Sequence, residues 1–232
     1  LKLILKRIKN KPCIGMSLTV NCSQLNETDE TRGLNKITSL LMLYGNEKFN
    51  HEQFRQFSTE NAISFAATTA KEYSSFNIKC FPESISDSLS ALSSLITAPT
   101  FPEFHLNKFK DSLIGSIARS KEIPHVYALK KWKQLFYGKK SNMFSREGDV
   151  SDIRRFNRKK IIQWHNLHFG ANNMTLSITG DFDFQAAIDF AEKHLSKIKK
   201  YAVSTNKEII INSSDKHFSN SRYKSDQSII HL

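Results

Sequence analysis

The apolar residues of this chain change their period at Pro82, and that change limits the possible folds more than any other feature. Before it, strand patterns flank two helical segments. Met16, Leu18, Val20 and Cys22 share one side of residues 14–25, which predicts a strand. Residues 62–70 and 73–81, joined tightly through Lys71-Glu72, predict a hairpin, with Thr68, Thr69, Phe76 and Ile78 suited to strands. Beyond Pro82 the spacing becomes helical. Ile85, Leu89, Leu92, Leu95 and Ile96 mark one face of a helix that Pro99 ends. Leu106, Phe109, Leu113, Ile114 and Ile117 mark a second, which must stop before Pro124, and residues 125–136 a third. Residues 138–148 read as a polar loop. Residues 152–156 lead to Asn157, a fitting N-cap for a helix through His168. Residues 173–179 alternate again, and Asp181 or Asp183 caps a final helix through about Ile198.

With helices at 33–46 and 51–59, the order is β-α-α-β-β-α-α-α-α-β-α. It predicts an α+β domain over residues 1–200, an antiparallel sheet with helices packed mainly on one face. Residues 201–225 are polar and weakly periodic, as in a linker. Residues 226–232 resume a strand pattern and read as the truncated start of a following domain. The opening Leu1 suggests an excerpt from a longer protein.

The helix at 33–46 carries the most chemical information. Gly33-Leu34, the apolar Leu41-Met42-Leu43 and the closing Gly45 overlay without gaps on the metal helix of the pitrilysin/insulinase zinc peptidases, the inverzincins. Their H-x-x-E-H motif sets two zinc-ligating histidines four apart on one helical face, beside a carboxylate that takes a proton from metal-bound water. The chain resembles the frame without the chemistry. Lys36 stands at the first His, Ser39 at the Glu and Leu40 at the second His. A lysine offers only donors at neutral pH, a leucine has no lone pair, and a serine is too weak a base.

The resemblance covers most of residues 14–200. Ala98-Pro99-Thr100-Phe101, Lys121-Glu122-Ile123-Pro124 and Leu135-Phe136-Tyr137-Gly138 sit where the family has its Pro-x-Phe, its turn before a helix and its "lf-yg" element. The run from Asp152-Ile153 through His168-Phe169 and Asn172-Asn173-Met174 to Gly180-Asp181 is similar to the signature around its last strand. Even Lys224-Ser225-Asp226-Gln227-Ser228 resembles the usual entry to the next domain. The family's third ligand is a Glu in a window matching residues 112–118. Gly115 and Ser116 are the closest matches there, and Asp111 is the nearest carboxylate.

The resemblance implies a pitrilysin/processing-peptidase-like domain with no catalytic residue and no metal of its own. Zinc is expected in a homologous active domain, in the same polypeptide or in a partner subunit. The implied role is the non-catalytic half of a zinc metallopeptidase, forming part of a peptide-substrate chamber and packing on the active half. The alternative is a structural or assembly subunit without proteolysis, like the core subunits of respiratory complex III.

Other features narrow the field. Lys and Arg total 34 against 22 acids, a formal charge of +12. The densest runs, Arg154-Arg155 with Arg158-Lys159-Lys160, and Lys197 with Lys199-Lys200, lack the aromatic spacing of a single-strand platform and read as solvated helix faces rather than nucleic-acid contacts. No apolar run approaches the roughly 20 residues that span a bilayer, and charges interrupt the first six residues, unlike a signal peptide. The expectation is a soluble protein of the cytoplasm, a periplasm or an organelle matrix. Cys13, Cys22 and Cys80 contain no C-x-x-C and read as buried thiols, with one bridge and a spare thiol left open. His165 and His168 have reachable ligand spacing but no partner Glu, and read as packing or surface histidines. His51, His105, His125, His194, His217 and His231 read as scattered surface residues. Trp132 and Trp164 read as core anchors. Gly180-Asp181-Phe182-Asp183 reads as a turn with an N-cap.

Overall fold

The computed structural model describes residues 1–137, 148–201 and 229. The sequence readings for 138–147, 202–228 and 230–232, including the linker, the next-domain strand, His217 and His231, lie outside the described residues.

One sheet organises the domain, in the order β1-β5-β2-β4-β3. Its strands are β1 (Lys2–Arg7), β2 (Ile14–Val20), β3 (Ser64–Thr69), β4 (Ser74–Cys80) and β5 (Met174–Gly180). Alternation sorts the two faces. Ile14, Met16, Leu18 and Val20 point into the core with Phe76, Ile78, Leu176 and Ile178. The other face carries small polar residues in register: Thr19 lies between Thr175 and Ser75, and Ser17 between Ser177 and Asn77. The Ser17 hydroxyl donates to Asn77 Oδ1 at 2.9 Å.

The helices pack mainly on the apolar face. They are α1 (Leu34–Leu41), α2 (His51–Glu60), α3 (Ile85–Thr97), α4 (Glu103–Lys121), α5 (Pro124–Tyr137), α6 (Val150–Arg155), α7 (Arg158–His168) and α8 (Phe184–Leu195). Their ends follow the capping chemistry. The Lys160 N–H donates to Asn157 Oδ1 at 3.0 Å at the start of α7, as expected. Asp183 caps α8, accepting from the Ala186 N–H at 2.8 Å. Asp181 does something else: it accepts from Arg7 Nε at 2.9 Å and from the Asn10 N–H at 2.8 Å, clamping the end of β1.

Two elements depart from the sequence reading. β1 falls in the charged opening segment and pairs with β5 in parallel, so the otherwise antiparallel sheet has one parallel ladder. The lead-in to Asn157 holds a separate short helix, α6, in which the Asp149 N–H donates to Asp152 Oδ2 at 2.9 Å. Trp164 is a core residue, whereas Trp132 is only half-buried and stacks on Phe136 with ring centroids 5.2 Å apart. Cys22 and Cys80 are buried thiols as expected, and Cys13 is exposed; all three are unbridged.

Candidate functional site

The degenerate helix α1 is fixed by groups that do not belong to the motif. Gly33 opens it at φ 89°, a left-handed conformation that glycine adopts without strain. The first backbone donors of any helix lack internal partners. Here the buried Glu27 supplies them: Oε2 accepts from the Gly33 N–H at 2.9 Å and Oε1 from the Asn35 N–H at 2.8 Å. Burial pushes the Glu27 carboxyl up to about 8, against the pull of these two N–H groups and of Arg32. One residue on, the Asn35 amide donates to Ser74 Oγ at 2.9 Å and accepts from the Cys22 thiol at 3.2 Å. The Ser74 hydroxyl donates in turn to the Cys22 carbonyl at 2.8 Å. The first turn of α1 is thereby pinned to the ends of β2 and β4. At the far end Gly45 has φ 151°, and a Cβ there would stand 2.9 Å from Thr100 Oγ1. The matched glycines are therefore backbone requirements, independent of any metal.

Between those anchors the helix turns Leu34, Asn35, Ile37, Thr38, Ser39 and Leu41 inward. Lys36 and Leu40 alone within α1 are half-exposed. They lie four apart on one face, the placement that two zinc-ligating histidines require. Ser39 is fully buried, and its hydroxyl has no hydrogen-bond partner among the described residues. On α4, which packs against α1, Gly115 and Ser116 are half-buried and Asp111 is exposed. A metal needs lone pairs converging on one point, and these side chains do not supply them. Among the described residues no three His, Cys, Asp or Glu side chains gather into a possible metal site.

The histidines set three apart on α7 are both buried. His165 Nε2 is 2.9 Å from the Ile96 carbonyl, its Nδ1 is 3.2 Å from Asn166 Oδ1, and its ring stacks on Phe169. Burial lowers its pKa. His168 packs against Trp164 with centroids 4.2 Å apart, and neither ring nitrogen has a partner among the described residues. Burial lowers it to about 4. His51 and His105 are not scattered. His51 stacks on Tyr44 with centroids 4.3 Å apart, His105 meets the same ring tilted at 4.9 Å, and Phe109 adds an edge contact at 4.8 Å. Burial, then the nearby His105, lowers the His51 pKa. Residues so distant in sequence leave no periodic trace of such a cluster. Glu27 was equally hidden, because Asn26-Glu27-Thr28-Asp29-Glu30-Thr31 is polar throughout.

A short helix bridged to a five-stranded sheet thus presents two half-exposed positions four apart, Lys36 and Leu40. The chain belongs to the insulinase family, peptidase family M16, whose model matches residues 2–137. The model described as the peptidase M16 inactive domain matches residues 155–228. The chain is 20% identical to an uncharacterized zinc protease of Rickettsia felis over 81% of its own length and 45% of that protein's. It is 24% identical to an insulin-degrading enzyme homolog of Dictyostelium discoideum over 78% of its length and 19% of that protein's. It thus spans less than half of either relative. Among solved structures, a peptidase M16 inactive domain from Pseudomonas fluorescens superimposes with a TM-score of 0.81 at 15% identity, covering 89% of this chain and 51% of that one. The first half of the periplasmic protease PqqL from Escherichia coli gives 0.79 at 13% identity, covering 90% and 47%. At such identities the likeness shows the fold alone. No helix among the described residues is long and apolar enough to cross a membrane.

Proposed function

We propose that this chain is the non-catalytic half of a zinc metallopeptidase. It builds one wall of the substrate chamber and packs on a homologous half that carries the zinc and the general base. The observation that carries this reading is α1. Its anchors are complete, and its two outward positions hold Lys36 and Leu40, which cannot ligate. The matches to halves of M16 proteins support it. The polar sheet face around Ser17 and Asn77 suits a wall along which an unfolded peptide slides without sticking. Zinc does not fit the side chains that stand at the motif positions, so no step of hydrolysis is assigned to this chain.

The test has two arms. Elemental analysis of the purified chain is expected to give no stoichiometric zinc; one tight zinc per chain, lost on replacing His165 or His168, overturns the reading. Mixing the chain with an active half encoded in the same reading frame or genome is expected to yield a complex that hydrolyses peptides faster than the active half alone. A complex with no hydrolysis overturns the chamber role and favours a structural subunit.

A further inference from the structure

We propose that the outer edge of β1 takes up an extended, acidic strand of a second polypeptide, which lengthens the sheet by one strand. β1 stands at the end of the strand order and, among the described residues, is joined to β5 alone. Backbone groups of successive strand residues point alternately to the two sides. The Ile8 N–H donates to the Gly180 carbonyl at 2.8 Å, so Ile8 faces β5, and with it Lys6, Ile4 and Lys2. The N–H and C=O groups of Leu3, Leu5 and Arg7 therefore point away from the sheet, in a row that another strand can pair with.

The side chains along this edge select the strand. The register with β5 sets Lys2, Ile4 and Lys6 beside Thr175, Ser177 and Thr179 on the polar face, and Leu3 and Leu5 beside Leu176 and Ile178 on the core face. Ile4 is 45% exposed, and Leu3 and Leu5 pack on the core yet are only half-buried. Lys2 and Lys6 are exposed and hold no hydrogen bond or ion pair among the described residues. Arg7, by contrast, is tied to Asp181. The opposite edge of the sheet, β3, carries no charge.

A second copy of this chain fits that edge poorly. Antiparallel pairing of two copies about Ile4 sets Lys2 against Lys6 twice, and like charges directly opposite one another repel. Pairing about Leu5 sets Arg7, already tied to Asp181, against Leu3 twice. An acidic strand has neither fault. Two carboxylates at the spacing of Lys2 and Lys6 stand opposite the two ammonium groups, and apolar residues between them cover Leu3 and Leu5. Main-chain hydrogen bonds then supply affinity, and the alternate side chains supply specificity. The edge is remote in the strand order from β3, the strand that α1 packs on, so it serves whether or not the chain is half of a peptidase.

The test combines fluorescence anisotropy on the full chain with hydrogen exchange at the β1 amides. The probes are a labelled heptapeptide, Thr-Glu-Val-Thr-Val-Glu-Thr, and its counterpart with lysines in place of the glutamates. The glutamate peptide is expected to bind at least about tenfold more tightly than the lysine peptide, and less tightly as salt rises. Lys2→Glu with Lys6→Glu is expected to invert that preference, which a folding defect would not do. Lys193→Glu with Lys197→Glu, the same charge change on and just beyond α8, is expected to alter either affinity by less than about twofold. The Leu3 and Leu5 amides are expected to exchange freely in the chain alone and to slow at least about tenfold with the glutamate peptide. Equal losses in the two double variants overturn the site, because they report net charge alone. Amides of Leu3 and Leu5 already protected in the chain alone overturn it, because another segment or a second copy then holds the edge. Absence of glutamate-peptide binding, or binding that leaves both amides unchanged, overturns it as well.

Discussion

Helices α1 and α5 make opposite use of a similar amphipathic sequence. α1 buries six of its eight residues and is pinned at its start by Glu27 and Asn35. α5 is longer, yet buries none of its fourteen. In α1 the positions that fix the helix and those that would do chemistry are different residues, so Lys36, Ser39 and Leu40 can stand where a metal site would be while the frame persists. In α5 Tyr127, Lys130, Lys131 and Gln134 line a cavity and the apolar residues Leu129 and Phe136 face outward. One helix keeps a fold together; the other presents a surface.

The sharpest way to break this contrast is to remove the anchor of α1. Glu27→Ala leaves two buried N–H groups unpaired and is expected to lower the unfolding free energy by about 3–4 kcal/mol, read by urea titration. A loss near zero would mean that the helix holds its own start. Next, Ile37→Ala on α1 is expected to destabilise by about 3 kcal/mol and Leu129→Ala on α5 by less than about 1 kcal/mol. Equal effects would dissolve the distinction between the two helices.

Proton linkage sharpens it further. His168, on the helix that packs against α1, has its pKa lowered to about 4, so the unfolded chain takes up the proton first. Its share of stability is complete above pH 6.5 and is lost as pH falls from 6.5 to 4, with a slope of about 1.4 kcal/mol per pH unit. Glu27 works in the opposite sense. With its carboxyl raised to about 8 the native state keeps the proton, so its share is complete below pH 4.5 and is lost as pH rises towards 8. Subtracting the stability profile of His168→Phe from that of the parent isolates the first slope, and subtracting that of Glu27→Gln isolates the second. A flat difference in either case refutes that assignment. The smallest expected effect is on the outward face of α1. Lys36→His with Leu40→His is expected to gain weak cobalt binding, visible by absorbance, with stability changed by less than about 0.5 kcal/mol. Adding Ser39→Glu buries a carboxylate and is expected to lower stability by about 2 kcal/mol.

Much of this was legible beforehand. Strands β2 and β5 alternate cleanly, the residues of β3 and β4 suit a hairpin by propensity, and Asn157 and Asp183 announce their helices through capping chemistry. The frame of α1 was readable because glycines and apolar positions at fixed spacing reflect backbone needs and burial. β1 escaped because lysines bracket its short apolar run Leu3-Ile4-Leu5 and β5, with which it pairs, comes late in the chain. α6 escaped because six residues are too few to show a period. Glu27 lay in a run whose polarity suggested solvent, and nothing local marks which polar side chain turns inward. Trp132 sits on an amphipathic helix, but amphipathicity does not say whether the domain itself covers the apolar side.

The strand order has a consequence for synthesis. β5 inserts between β1 and β2, so these two strands can join one sheet only after β5, at residues 174–180, has been translated. Until then β1, with Leu3, Ile4 and Leu5, lacks the strand it pairs with. Ladder closure over so long a stretch of chain is slow. The nascent polypeptide therefore carries an open strand until β5 emerges, and a chaperone that shields extended apolar segments has its best opportunity there.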